Sequence, residues 1–463
     1  MFRRLANLSR VHLIGVGGAG MSSIAEVLSD YELEVSGCDK QESETTARLR
    51  SLGVEVKIGH SPSHLEGADV VVASSAIDGA NPELVEARDR GIAVVPRAEM
   101  LAELMRFKYG IAVAGTHGKT TTTSLVGTVL MEAELDPTVI VGGRLRVSGT
   151  GARLGKSEYL VAEADEFDRS FLRLQQIIAV VTSIDADHLD TYRDLDEIRD
   201  AFVSFAGKVP FFGEVILCLD DPNVQLVLPR LADRRLVTYG FSPQADLSIV
   251  DLETVEGGSR FAVQSLDGNR LGEVELPMPG RHNVQNALAA IAVGLAVGLE
   301  FSLIANSLRG FSGVHRRFER LGMWRGAEVV DDYAHHPAEV RATLQAARSA
   351  YPTGRIHAVF QPHLFSRTRD QAEEFGRALL GADRAIVTAI YPSREEPIEG
   401  VNSELVVEAA KRSGHRHVTL CDDWAKADKD LADEVSPGDV ILTLGAGDIY
   451  RLGEMLVAEE ETS

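Results

Sequence analysis

Two glycine-rich loops constrain this chain more than any other feature, because each stands between an apolar run and a helical pattern. The first lies in "VHLIGVGGAGMSSIAEVL" and the second in "YGIAVAGTHGKTTTTSLVGTVLMEA". A buried strand, a sharp turn and a helix in direct succession form the repeating unit of a parallel α/β sheet. The same alternation fills the rest of the chain in three blocks. Residues 11–107 read as five strands with helices between them, ending at "IAVVP". A second set starts at Lys108 and includes "EYLVAEAD", "QIIAVVTSI" and "GEVILCLDD" as strands. Short alternating runs with glycine turns over 246–276 predict a small antiparallel insertion. A third set begins near Val314, after the turn around Gly313, and carries "AEVVDDYA", "RIHAVFQP", "RAIVTAI" and "DVILTLGAG" as strands. The expected boundaries are 1–107, 108–313 and 314–463.

The loops also carry chemistry. "GVGGAG" contains Gly15-x-Gly17-x-x-Gly20, with Gly18 inside it and Asp39 at the end of the next strand. This is the dinucleotide fingerprint in its proper strand–turn–helix setting, where the backbone approaches a diphosphate at a helix N-terminus. The pattern leaves open whether the diphosphate belongs to NAD, FAD or another nucleotide. The second loop, "GTHGKTTTT", runs from Gly115 to Thr123. It resembles an ATP phosphate loop, but Val113 stands where the longer form has its first glycine. Backbone N–H groups around Gly118 would cradle phosphates, Lys119 would reach the β- and γ-phosphates, and Thr120 would offer its hydroxyl to Mg²⁺.

Carboxylates follow at strand ends. "VAEADEFDRSF" holds Glu163, Asp165, Glu166 and Asp168, and "TSIDADHLDTY" holds Asp185, Asp187, His188 and Asp190. Hard oxygens near a phosphate loop suit Mg²⁺. "DDYAHHP" ends a strand and opens a helix at Pro337; of His335 and His336, one is placed for chemistry and the other for capping. "GVHRRFE" and "QPHLFSRTR" place Arg316, Arg317, Arg367 and Arg369 in turns, where guanidinium forks suit phosphate or carboxylate.

Charge and cysteines set the surroundings. A formal net charge of −22 over 463 residues argues against a general nucleic-acid or anionic-membrane binder. Cys38, Cys218 and Cys421 lie far apart with no CxxC spacing, which argues against zinc and a disulfide framework and for a reducing cytoplasm. The basic start and the apolar run after it imitate a signal peptide, but glycines at turn spacing and Glu26 break the run. No apolar run reaches membrane-spanning length.

In this order the motifs resemble those of the Mur ligases, the ATP-dependent amide-forming enzymes of peptidoglycan precursor synthesis, and among them the alanine-adding branch. The resemblance rests on "HLIGVGGAGMSSIAEVL", "AGTHGKTTTT", "EADEFDRSFL", "DADHLDTY", "GRHNVQNALAA", "HRRFE", "DDYAHHP", "FQPHLFSRT", "EEPIEG" and "GAGDI", which span nearly the whole chain. The family's short GTxGK[ST] loop accounts for Val113. The resemblance implies an N-terminal Rossmann-like domain for a UDP-sugar, a central P-loop ATPase-like α/β domain, and a C-terminal Rossmann-like α/β domain that meets amino acid and nucleotide. It implies ligation of L-alanine to the carboxylate of UDP-N-acetylmuramate through an acyl phosphate, with ATP and Mg²⁺.

Residue by residue, the resemblance gives Gly115, Thr116, His117, Gly118, Lys119, Thr120 and Thr121 to ATP, together with Asn283, Asn286, Arg317 and Asp332. Thr120 and Glu163 would hold one Mg²⁺ and His188 a second. Gly15, Gly17, Gly18, Gly20, Asp39 and Ser75 would hold the UDP-sugar. Lys119, His188, His335 and Arg367 would serve the reaction. Two positions depart from some relatives: no lysine follows the "DH" motif until Lys208, and Leu364 replaces an arginine. The former fits the alanine-adding branch. Monomer and dimer are both compatible with the resemblance. Two further readings compete: a ligase that reattaches recycled murein tripeptide, and an NAD-dependent oxidoreductase suggested by the first loop alone.

Overall fold

The computed structural model describes residues 8–31, 33–74, 76–145, 150–187, 191–393 and 395–462. The chain divides into two compact units. One comprises residues 1–251, 262–274 and 285–312, and the other 252–261, 275–284 and 313–463. The architecture is α/β throughout, as the alternation predicts.

The N-terminal sheet is all parallel. Its strands are β1 (Arg10–Ile14), β2 (Glu34–Asp39), β3 (Glu55–Ile58), β4 (Val70–Ala73) and β5 (Ala93–Pro96), in the order β3-β2-β1-β4-β5. Val11, Leu13 and Ile14 of β1 are fully buried, as a central strand covered on both faces requires. The strand order reverses between β1 and β4, so their C-terminal ends frame the crevice where open α/β sheets bind ligands. The first glycine loop leaves β1 at that point.

The central sheet has ten strands. They are β6 (Tyr109–Ala114), β7 (Thr138–Leu145), β8 (Thr150–Arg153), β9 (Tyr159–Glu163), β10 (Ile178–Val181), β11 (Glu214–Cys218), β12 (Leu236–Gly240), β13 (Leu247–Val255), β14 (Gly258–Ser265) and β15 (Arg270–Leu276). Their order is β15-β14-β13-β12-β11-β10-β6-β9-β7-β8. Only two residues separate β13 from β14. A connection that short permits a hairpin and no parallel crossover. The insertion foreseen over 246–276 therefore extends one edge of the sheet.

Within the first unit the two sheets are tied together. The helix Ala19–Ser29 packs on β7 and β8. The helix Arg97–Met105, which follows β5 and is absent from the sequence reading, carries Glu99 to a 2.6 Å ion pair with Arg173. Its start is a proline cap without a side-chain hydrogen bond, so no Ser, Thr or Asp signal announces it.

The second unit is built on β16 (Glu319–Trp324), β17 (Ala327–Asp332), β18 (Ile356–Phe360), β19 (Arg384–Thr388), β20 (Val418–Cys421) and β21 (Val440–Leu444). The order is β16-β17-β21-β18-β19-β20, with β16 antiparallel to β17 and the other pairs parallel. Asp331 and Asp332 end β17, and the helix Pro337–Ala350 follows. Among the described residues, no helix is long and apolar enough to cross a membrane.

Candidate active site

The first glycine loop is shaped by three different constraints. Gly15 has φ +79°, a conformation that glycine adopts without penalty. A Cβ on Gly17 would stand 2.8 Å from Asp39 Oδ2, and one on Gly20 would stand 2.7 Å from Arg97 Nη1. Gly18 caps the helix Ala19–Ser29 and donates its N–H to Gly15 O at 3.2 Å. Asp39 accepts the Gly17 N–H at 2.8 Å. Its carboxylate thus clamps the loop, a role its position at the strand end did not reveal. Ser75 lies outside the described residues.

The second loop leaves β6 and enters the helix Lys119–Glu132. Gly115 has φ +137°, and a Cβ there would lie 2.0 Å from Thr182 Oγ1. Gly118 has φ +81°, and its Cβ would meet Asn286 Oδ1 at 2.5 Å. The end of β10 braces the loop: the Thr116 N–H donates to Ser183 O and the His117 N–H to Ser183 Oγ, both at 3.0 Å. The Asp185 N–H donates to Thr116 Oγ1 at 2.9 Å, and His117 Nε2 lies 3.3 Å from Asp185 Oδ2. The threonine run, a poor helix interior by propensity, is tolerated because its hydroxyls find acceptors. Thr123 Oγ1 donates to Lys119 O at 2.8 Å and Thr122 Oγ1 to Asn286 Oδ1 at 3.2 Å. Thr121 is buried in the first turn.

Lys119 is held by the loop and by one acid. Its Nζ donates to Gly115 O at 2.8 Å and to Glu166 at 2.8 and 3.0 Å. Burial opposes the charge, yet Glu166, Asp165 and Glu163 outweigh it and hold the ammonium above its ordinary range. Lys119 therefore stays a cation. Thr120 Oγ1 donates to both oxygens of Glu163, at 3.0 and 3.1 Å. Glu163 also accepts the Gly142 N–H at 2.8 Å. Thr120 and Glu163 thus form a pair of hard oxygen donors beside the loop, a donor set that fits Mg²⁺. His188 lies outside the described residues. Lys208 donates its ammonium to Leu172 O, away from this group.

Asn283 and Asn286 share the helix Arg281–Ala296 but have different neighbours. Asn286 stands behind the loop against Gly118 and Thr122, whereas Asn283 Nδ2 donates to Pro279 O at 2.9 Å.

The second unit gathers its own polar groups at the end of β17. Asp331 is locked to Arg316 Nε at 2.9 Å, and Arg316 also donates to the carbonyls of Gly445 and Gly447. This arginine is structural. Asp332 accepts the N–H groups of Phe318 at 2.8 Å and Ala334 at 2.9 Å. Burial raises Asp332 to about 6, with Arg317 pulling the other way. Arg317 lies over the Tyr333 ring at 5.2 Å.

Of the adjacent histidines, His336 takes the capping role: its Nδ1 accepts the Ala338 N–H at 3.4 Å, in a capping box with Glu339. His335 packs edge-on against His363, with ring centres 5.6 Å apart, and Arg367 Nη1 lies 3.5 Å from His363 Nδ1. Burial pushes His335 down to about 3; Glu339 opposes this, and Arg367 and His363 reinforce it. It is a neutral imidazole at pH 7.

One expectation needs correction. Arg367 and Arg369 are not in a turn but in the helix Phe365–Leu379. Glu395 accepts the Ser366 N–H at 3.0 Å and also the Ser366 hydroxyl, which satisfies the helix start from 29 residues away. Leu364 caps that helix at φ +69°, a sparsely populated conformation for a side chain with a Cβ.

Three family models match the chain in succession. They are the Mur ligase family, catalytic domain, over residues 10–109; the Mur ligase middle domain over 113–294; and the Mur ligase, glutamate ligase domain over 316–447. The UDP-N-acetylmuramate–L-alanine ligase of Geobacter sulfurreducens is 51% identical, covering 98% of both chains. The ligase of the same name from Solidesulfovibrio magneticus is 52% identical over 97% of this chain and 98% of its own. The crystal structure of UDP-N-acetylmuramate–alanine ligase from Thermotoga maritima superposes with a TM-score of 0.81 at 29% identity, covering 98% of this chain and 99% of that one. On models that cover most of its length and on relatives matched from end to end, this chain belongs to the Mur ligase family.

Proposed function

We propose that this chain joins L-alanine to the lactyl carboxylate of UDP-N-acetylmuramate, driven by cleavage of ATP to ADP and phosphate. The end-to-end likeness to ligases of that name carries the reading. A carboxylate is a poor electrophile. One of its oxygens attacks the γ-phosphorus, ADP departs, and an acyl phosphate forms. The amine of L-alanine then adds to the carbonyl carbon. The tetrahedral intermediate expels phosphate with its bonding pair, and the nitrogen loses a proton to leave the amide. Such a sequence needs positioning and charge neutralisation more than a protein nucleophile.

The roles follow from local chemistry. Residues 115–121 cradle the triphosphate, and Lys119, kept cationic by its acidic neighbours, stabilises the transferred phosphoryl group. Thr120 and Glu163 would hold Mg²⁺, with His188 at a second ion. Magnesium, when bound, neutralises phosphate oxygens. The loop at Gly15, Gly17, Gly18 and Gly20, with Asp39 and Ser75, takes the UDP-sugar. Asn283, Asn286, Arg317 and Asp332 are assigned to the nucleotide. His335 and Arg367 are assigned to the acyl-phosphate and alanine side. We divide the roles at 1–107, 108–313 and 314–463 and place the reaction in the cytoplasm.

The two competing readings are not favoured. An oxidoreductase leaves Lys119 and its acidic neighbours without a task. A murein peptide ligase shares the fold, but curated relatives from Geobacter sulfurreducens, Desulfatibacillum aliphaticivorans and Solidesulfovibrio magneticus, 50–52% identical, carry the alanine-ligase name. Phosphate release from ATP tests the proposal. It should require both UDP-N-acetylmuramate and an amino acid, and L-alanine should exceed glycine, L-serine and the tripeptide. Release without the sugar nucleotide would contradict it.

A further inference from the structure

The N-terminal sheet covers a polar cluster unconnected with the phosphate loop. His12 (β1), Cys38 (β2) and Glu83 (helix Pro82–Asp89) are buried, and one donor atom from each lies within 4.8 Å of the other two. The separate edges are short. His12 Nε2 is 3.5 Å from Glu83 Oε2, and Cys38 Sγ is 2.7 Å from the same oxygen. His60 Nδ1 flanks them, 3.3 Å from Cys38 Sγ and 3.8 Å from Glu83 Oε2.

We propose that His12 Nε2, Cys38 Sγ and Glu83 Oε2 bind a divalent transition-metal ion of the zinc class, with His60 at the rim. Bonds of about 2.0–2.3 Å in a tetrahedral site put neighbouring donors about 3.3–3.8 Å apart. Among the three ligands, the His12–Glu83 edge already has that length, and the rim residue His60 stands at similar distances from Cys38 and Glu83. The Cys38–Glu83 edge, 2.7 Å, is a thiol-to-carboxylate hydrogen bond. It lengthens when the thiol proton leaves to solvent and the cation takes its place. One proton is released per ion, and nothing is oxidised.

Neighbouring groups orient the donors as metal sites require. His12 Nδ1 lies 3.0 Å from Ser36 Oγ, and Ser36 Oγ donates to Val11 O at 3.5 Å. The Ser36 hydroxyl thus fixes the ring of His12 through Nδ1 and turns Nε2 toward the cluster. That atom has no hydrogen-bond partner among the described residues, although His12 is 1% exposed, and it faces a carboxylate oxygen. The other carboxylate oxygen is held by His64 Nδ1 at 2.7 Å and the Ser61 N–H at 2.9 Å. Nitrogen, thiolate and carboxylate together select a borderline ion such as Zn²⁺ over Mg²⁺. Cys38 O also accepts the Gly15 and Val16 N–H groups at 2.9 and 3.0 Å, so a bound ion would brace the first glycine loop.

The test is a Co²⁺ titration of the full, metal-stripped protein in excess Mg²⁺, which fills oxygen-only sites. One equivalent should give intense tetrahedral d–d bands and a near-ultraviolet thiolate-to-cobalt band, with Zn²⁺ displacing the cobalt and raising the Tm. Cys218→Ser and Cys421→Ser should keep the thiolate band, and Cys38→Ser and His12→Gln should lose it. Absence of the band in the unaltered protein, or its survival in Cys38→Ser, overturns the proposal and leaves a hydrogen-bonded network only. Should Cys38→Ser fail to fold, the unaltered spectrum together with His12→Gln still decides.

Discussion

Lys119 Nζ and Glu166 Oε2 are 2.8 Å apart, and their side chains are 13% and 3% exposed. The lysine that would meet a transferred phosphoryl group is thus paired with a carboxylate from the loop after β9. Glu166 balances a buried cation, and phosphate oxygens would compete with it for the same ammonium. The pair couples stability to catalysis, and the two can be separated.

Lys119→Ala should lower kcat/KM for ATP-dependent phosphate release by at least about 10²–10³, the loss typical of one charge-stabilising donor. It should also destabilise the fold by about 3–5 kcal/mol, because the buried Glu166 carboxylate loses the Lys119 ammonium. Adding Glu166→Gln should recover most of the stability and none of the activity. Urea unfolding and a phosphate assay on both variants check this. Retained turnover in Lys119→Ala removes the residue from the mechanism.

Much of this site was legible because its parts are contiguous. Gly118, Lys119 and Thr120 follow one another, and their order alone says phosphate. The Lys119–Glu166 pair was not legible, since its members are 47 residues apart and meet only because β9 lies beside β6. The helix start at Phe365 was hidden for the same reason, as the acceptor for its Ser366 N–H is Glu395. The helix Arg97–Met105 went unread because it has no side-chain cap. His12, Cys38 and Glu83 have no motif spacing, and only the β1–β2 register and the helix after β4 collect them. Sequence patterns carry local chemistry well; pairings set by sheet order need the fold.

Glu163→Gln should raise the Mg²⁺ concentration for half-maximal turnover by at least about tenfold, the lower range seen when even an outer partner of a metal is lost. Thr120→Val should act in the same direction, because its hydroxyl lies 3.0 Å from Glu163 Oε2. The measurement is a Mg²⁺ titration at saturating substrates. An unchanged midpoint in both variants would take the ion away from these residues.

Arg316→Ala should unfold at lower urea, with a loss of up to about 3–5 kcal/mol at pH 7.5, because Asp331 is 1% exposed and loses its guanidinium. Burial raises the Asp331 carboxyl above its ordinary value, and Arg316 counteracts that shift. A raised acid favours folding when protonated, so its contribution is lost as pH rises through the folded value. Without Arg316 that value rises further. The deficit should therefore be smaller at pH 5 than at pH 7.5, and a deficit independent of pH would contradict the pairing.

His335 supplies a pH dependence of opposite sign. Its folded value is pushed to about 3 by burial, while an unfolded histidine titrates near about 6.5. Between those values the unfolded chain binds a proton that the folded chain does not, so stability is fully present above about pH 6.5 and falls as pH drops toward 3. The slope from one such group is at most about 1.4 kcal/mol per pH unit. His335→Gln should remove that slope from the urea unfolding profile between pH 6.5 and 4, while Asp332, raised to about 6, contributes equally to both proteins. Selective ¹⁵N labelling of histidine should show the His335 ring neutral down to pH 5. A ring that protonates near pH 6.5 would mean that His335 is not desolvated beside Arg367 and His363.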